Sequence, residues 1–190
     1  MVLAFLFPVT FMGLAAAAHV VTGGRLPPSP AAGHVLLAAV NFPLVFLVGG
    51  PLGEEFGWRG YALPVMQERM GWRIASLVLG VVWAVWHLPL FYIDGTAQSH
   101  MPMWLFLLST VASSVVFAWL FNRTKGSVLP CLVLHTAVNA WSSVVPVMVK
   151  QDGSNLRPFQ FVVGILVAVA IAMLLSHRPV VTPEYERREP

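Results

Sequence analysis

The chain has 190 residues, of which 57% are hydrophobic and only 10% charged, and its mean hydropathy is +0.76. That balance excludes an ordinary soluble domain and reads as an integral membrane protein. The net charge of +3 and pI near 9.5 come with no basic cluster set in an RNA- or DNA-binding pattern, so nucleic acid is not expected as a partner.

Six apolar segments approach spanning length, over 2–21, 35–52 and onward into a charged motif, 74–93, 103–121, 128–149 and 159–175. They do not alternate as barrel strands would. The expected fold class is therefore all-α, a polytopic transmembrane helix bundle of about six membrane-spanning helices with a broken or tilted motif helix. The expected domain organisation is a single membrane-embedded unit over 1–178 with its motif core at 44–140, then a disordered charged tail over 179–190.

The first segment ends in small residues, Ala15 to Ala18, as a secretory signal would, but it lacks a basic stretch before the apolar run. A retained helix is expected. Thr22 to Pro30 is rich in proline and glycine and should form an extended surface connection.

The second segment is the unusual one. From Val35 to Met66 it would be nearly 50 Å long if fully helical, against roughly 30 Å of hydrocarbon. Pro43, Gly49, Gly50, Pro51 and Gly53 supply places to bend or break. Two adjacent carboxylates, Glu54 and Glu55, follow this weak point directly. An ionised side chain at membrane depth costs roughly 2.5–3.5 kcal/mol even on lenient scales, so both need partners. On a helix Glu55 pairs with Arg59 one turn on, while Glu54 points about 100° away and stays available.

Met70 to Arg73 reads as a tight basic turn. The third segment then carries Trp83 and His87, and the fifth carries His135 and Asn139, four apart on one helix face. The fourth, with Ser109, Thr110, Ser113 and Ser114, reads as scaffolding whose small polar residues serve helix contacts. His19, His34, His100 and His177 lie at segment ends or in loops and need no special reason. Cys131 lies within an apolar segment and reads as core packing.

Arg69 and Arg73, Arg123 and Lys125, and the tail residues Arg178, Arg187 and Arg188 fall on one side if the segments alternate; Arg25, Lys150 and Arg157 fall on the other. The positive-inside rule then predicts a multi-pass protein of the plasma (inner) membrane with both termini cytoplasmic.

Measured from the basic loops at 1.5 Å per residue, Glu54 and His87 lie about 20 Å deep, His135 about 15 Å and Asn139 about 20 Å. Three helices thus bring polar groups to one level. Such a set suits hydrolysis, with Glu54 taking a proton from water, His87 orienting that water, and His135 and Asn139 donating to the oxyanion of a tetrahedral intermediate. Glu54, His87 and His135 equally suit a divalent metal such as zinc, and residue type leaves both readings open. A buried polar network that only locks helices is the bland alternative, and a proton-coupled transporter would use the same acid and histidines as a relay. No helical His-Glu-x-x-His motif is present.

Glu54-Glu55 with Arg59 resembles the first motif of the CPBP intramembrane proteases, also called the Abi or CAAX protease family, which includes the type II CAAX prenyl endopeptidases. Trp83 and His87 are similar to its second motif, usually written with Phe where this chain has Trp83. His135 and Asn139 match its third. Each motif alone is weak, whereas the three in order across 44–140 are a strong signal.

The resemblance implies an endopeptidase within the membrane: Glu54 activates water, His87 assists, His135 and Asn139 stabilise the oxyanion, and Glu55 and Arg59 support the first motif. Members have been called both metalloproteases and glutamic proteases. Implied partners are the lipid bilayer and a peptide or protein substrate, either prenylated at a CAAX end or a bacteriocin or its leader. A non-catalytic protein for bacteriocin self-immunity or partner scaffolding is the alternative. Beside members with eight helices the chain looks short at its N-terminus. Trp83, Trp86, Phe91, Trp104 and Trp141 are aromatic enough to receive a prenyl chain, although packing or interfacial anchoring is the commoner use.

Overall fold

The computed structural model describes residues 1–26, 35–149 and 156–176. Most of the proline-rich connection, His34, Lys150, His177 and the charged tail over 179–190 lie outside the described residues. Among the described residues every regular element is helical. In chain order these are α1 (Val2–Val21), α2 (Val35–Val48), α3 (Pro51–Gly57), a π-helical turn (Trp58–Ala62), α4 (Leu63–Trp86), a 3-10 turn (Leu88–Tyr92), α5 (Met103–Arg123), α6 (Leu129–Ser142) and α7 (Leu156–Leu175).

The second apolar segment breaks where glycine and proline permit it. Gly50 has φ +100°, a backbone region open to glycine and strained for other residues, and Pro51 opens α3, where its missing N–H costs nothing. The motif residues therefore begin a fresh helix instead of continuing α2. The π turn at Trp58–Ala62, which contains Arg59, follows within two turns.

Gly71 interrupts α4 with φ 73° and ψ 161°. A straight helix would put Trp58 and Trp86 about 42 Å apart. Their rings instead meet at 6.0 Å, and Trp83 touches Glu54. The stretches 51–70 and 72–86 are therefore the two antiparallel limbs of a helical hairpin with Gly71 at its apex. This is the tight turn the sequence predicts.

Two helices are shorter than their apolar runs. The third segment, expected to reach Ile93, leaves the α-helix at Trp86 because Pro89 has no N–H to continue the ladder, and the chain narrows into the 3-10 turn. The fifth, expected to reach Val149, ends at Ser142; Pro146 lies just beyond and disfavours helix in the residue before it.

Helices α1, α5 and α7 and the hairpin are long and apolar enough to cross a membrane. Large apolar side chains face outward along them and along α2, among them Leu3, Leu36 and Val48, as lipid-facing residues should. Inside, Leu79, Val115, Phe121, Leu134 and Leu166 join the hairpin to α5, α6 and α7. Phe11, Met12, Trp141 and Val163 form a second cluster around α1.

The hairpin and α5 come unusually close at Gly80, where an added β-carbon would lie 2.9 Å from Val111 Cα and 2.9 Å from Ser114 Cβ. Buried Asn122 donates to Gln67 at 2.6 Å, and Arg73 donates to the carbonyls of Leu174 and Ser176 at 2.8 and 2.9 Å. These bonds gather the Gly71 apex and the C-terminal ends of α5 and α7 at one end of the bundle. Arg69, Arg73, Arg123 and Lys125 thus share that end, while Arg157 donates to Thr22 O at the end where α1 finishes and α7 begins.

Candidate functional site

Glu55 and Arg59 form the buried pair that their spacing predicts, with Arg59 Nη1 donating to Glu55 Oε1 at 2.8 Å and neither side chain exposed. A third group joins them. His135 Nδ1 meets the same Glu55 oxygen at 2.8 Å, so the carboxylate that reads as merely supporting also orients an imidazole from α6. Arg59 Nε and Nη2 take no hydrogen-bond partner among the described residues. Its guanidinium sits instead in the corner formed by the rings of Trp83 and Phe117, 4.3 and 4.2 Å from their centroids, and these cation–π contacts compensate a buried cation.

Glu54, half-buried on the first turn of α3, stays out of the Glu55–Arg59 pair and finds a different partner. Trp83 Nε1 donates to Glu54 Oε2 at 2.9 Å. The other oxygen sits over Gly50, where a β-carbon would come within 2.7 Å of it.

The histidines are set by their Nδ1 partners. His87 Nδ1 lies 2.7 Å from Trp83 O, and a carbonyl can only accept. His135 Nδ1 faces a carboxylate. Both rings therefore carry a proton on Nδ1 and leave Nε2 for the cavity that they line.

That cavity encloses about 250 Å³. Trp83, His87, His135 and Asn139 contribute its polar wall, so the three motif-bearing residues His87, His135 and Asn139 do converge. Glu54 is not among the lining residues and meets the wall through the Trp83 indole, whose centroid lies 5.8 Å from the His87 ring and 5.5 Å from the His135 ring. Among the described residues no three His, Cys, Asp or Glu side chains cluster closely enough to hold a metal ion. Glu54, His87 and His135 are thus not gathered as a ligand set, and the chemistry below runs through the chain's own side chains.

The rest of the lining was not legible in the motifs. Ser109, Thr110 and Ser113 of α5 face the cavity, on the helix that reads as scaffolding; only Ser114, fully buried at the Gly80 contact, fits that role. Their spacing on one helix face was the available signal. Phe7, Phe11 and Met12 of α1 and Phe159, Val162 and Leu166 of α7 close the apolar side. Of the five aromatic residues named as candidates for a prenyl chain, Trp83 lines the cavity, whereas Trp86 and Trp104 are more than half exposed, Phe91 packs on Phe106 and Trp141 packs on Phe5. Cys131 is buried core, as expected.

Comparison with known proteins places the chain in a family. The chain is 26% identical over 160 residues to CAAX prenyl protease 2 of Methanococcus maripaludis, an alignment covering 80% of this chain and 56% of that protein. The chain therefore spans little more than half the length of this curated relative. The family described as Type II CAAX prenyl endopeptidase Rce1-like matches residues 36–141, a stretch that holds Glu54, Glu55, Arg59, His87, His135 and Asn139. On that match, over more than half of its length, the chain is an integral membrane protein belonging to the Rce1-like type II CAAX prenyl endopeptidase family.

Proposed function

We propose that the protein is an intramembrane endopeptidase. The observation that carries this reading is the shared cavity of His87, His135 and Asn139, whose lining residue Trp83 bonds the Glu54 carboxylate. His87, protonated on Nδ1, accepts a hydrogen bond from water at Nε2. Glu54 takes that water's proton as its oxygen attacks the scissile carbonyl, and returns the proton to the leaving amine. Asn139 and His135 donate to the oxyanion.

His135 imposes a condition on this scheme. Its Nδ1 proton is committed to Glu55, so Nε2 donates only when the ring carries both protons.

The substrate in this reading is a peptide or protein presented at the bilayer, with a prenylated CAAX end first in order because of the relative's name and a bacteriocin or leader second. The basic end of the bundle lies on the cytoplasmic side of the plasma membrane, which puts both termini there. Reconstituted protein and a prenylated CAAX peptide provide the test. Glu54→Gln is expected to lower turnover by about 10²–10⁴-fold, the range of a lost general base. Undiminished cleavage in Glu54→Gln defeats the scheme, and absence of cleavage by the unaltered protein with both prenylated and leader peptides favours the non-catalytic reading.

A further inference from the structure

Trp83 occupies a place in the second motif usually written with Phe, and it does what Phe cannot. Its indole N–H reaches Glu54 Oε2 at 2.9 Å. The ring that carries this donor is itself fixed. It is 5% exposed, one face lies on the Arg59 guanidinium, and its neighbours Phe117, His87 and His135 meet it edge-on at 5.5–5.8 Å. An indole so confined has little freedom to swing, so the direction of its N–H is set before any substrate arrives.

The second half of the seat is backbone. The Glu54 oxygen not held by Trp83 lies over Gly50, at a position where a β-carbon would be 2.7 Å away, and it takes no hydrogen bond from any described residue. One oxygen is thus tied and the other is not.

We propose that Trp83 is a positioning residue for the proposed general base. Its indole N–H anchors Glu54 Oε2 so that Oε1 is the oxygen presented to water, in place of the looser carboxylate that a phenylalanine would leave. The inference rests on the peptidase reading for its catalytic meaning, while the contact itself can be tested without any turnover.

The experiment has two arms on the full chain in lipid vesicles or nanodiscs. In the first, Trp83→Phe keeps an aromatic ring beside Arg59 and removes the N–H together with part of the ring system, a packing loss that thermal stability reads separately. Turnover is expected to fall about 10- to 100-fold, the loss expected of one charge-assisted hydrogen bond, with KM within about twofold. A merely structural tryptophan would lower thermal stability and leave kcat per folded molecule unchanged, and that result overturns the proposal. In the second arm, the Trp83 indole ¹⁵N–¹H resonance, assigned by through-bond experiments on the unaltered protein, is followed in Glu54→Ala. An upfield proton shift with faster solvent exchange supports the anchor, and an unmoved resonance overturns it even if Trp83→Phe fails to fold. Should Glu54→Gln retain full turnover, the peptidase reading falls, but the indole resonance still decides whether Trp83 holds Glu54.

Discussion

Glu55 and His135 lie 80 positions apart in the chain and 2.8 Å apart in space, and the oxygen they share is also the one that Arg59 grips. One carboxylate thus ties the motif helix to α6 and fixes the ring that the proposed mechanism needs.

Glu55→Ala leaves the Arg59 cation buried without its counter-ion. The expected cost is about 3–5 kcal/mol of stability, the range for breaking a buried pair from one side. Thermal unfolding in detergent should show a clearly lowered midpoint, and the double change Glu55→Leu with Arg59→Met should recover part of it because no charge is then left alone.

His135→Phe and Asn139→Ala remove the two proposed oxyanion donors while leaving the cavity closed. Each is expected to reduce kcat by about 10²–10³-fold. Steady-state cleavage in vesicles checks this, and the double variant should lose less than the product of the two if both donate to the same oxygen.

Two glycines should respond to alanine for opposite reasons. Gly71 has open space around it but a φ of 73° and ψ of 161°, so Gly71→Ala is expected to cost about 1–3 kcal/mol through backbone strain alone. Gly80 is helical and unstrained, and its alanine variant instead pushes a β-carbon into Val111 and Ser114 of α5. Widening at that contact should accelerate proteolysis of the bundle in detergent, and adding Ser114→Gly is expected to relieve it only in part, because the Val111 backbone still meets the new β-carbon.

Exhaustive chelation followed by metal analysis addresses the other mechanism. The described side chains do not gather three metal ligands, so turnover is expected to survive metal removal unchanged. Loss of activity that zinc restores stoichiometrically would contradict that expectation.

The elements that carry the site were legible because each is written locally. The Glu55 and Arg59 spacing, the breaks at Gly50 and Gly71 and the shared face of His135 and Asn139 all follow from helix periodicity and backbone sterics. What escaped the reading was contact between distant segments. Nothing in the order of residues says that His135 chooses Glu55 over Glu54, that Trp83 stands at the Glu54 carboxylate, or that α5 turns Ser109 and Ser113 inward. Those outcomes depend on the rotation of each helix about its axis, and nearly uniform hydrophobicity around a membrane helix leaves that rotation unmarked.

The cavity divides along the chain in a way that bears on how such proteins diversify. Its reactive wall comes from residues within 36–141, while Phe7, Phe11, Met12, Phe159, Val162 and Leu166 belong to flanking helices outside that stretch. In the proposed peptidase, the groups that act on the bond and the groups that face the apolar part of the substrate thus belong to different stretches of the chain. Substitutions in the outer helices should then alter which peptides are cleaved before they alter the rate of cleavage.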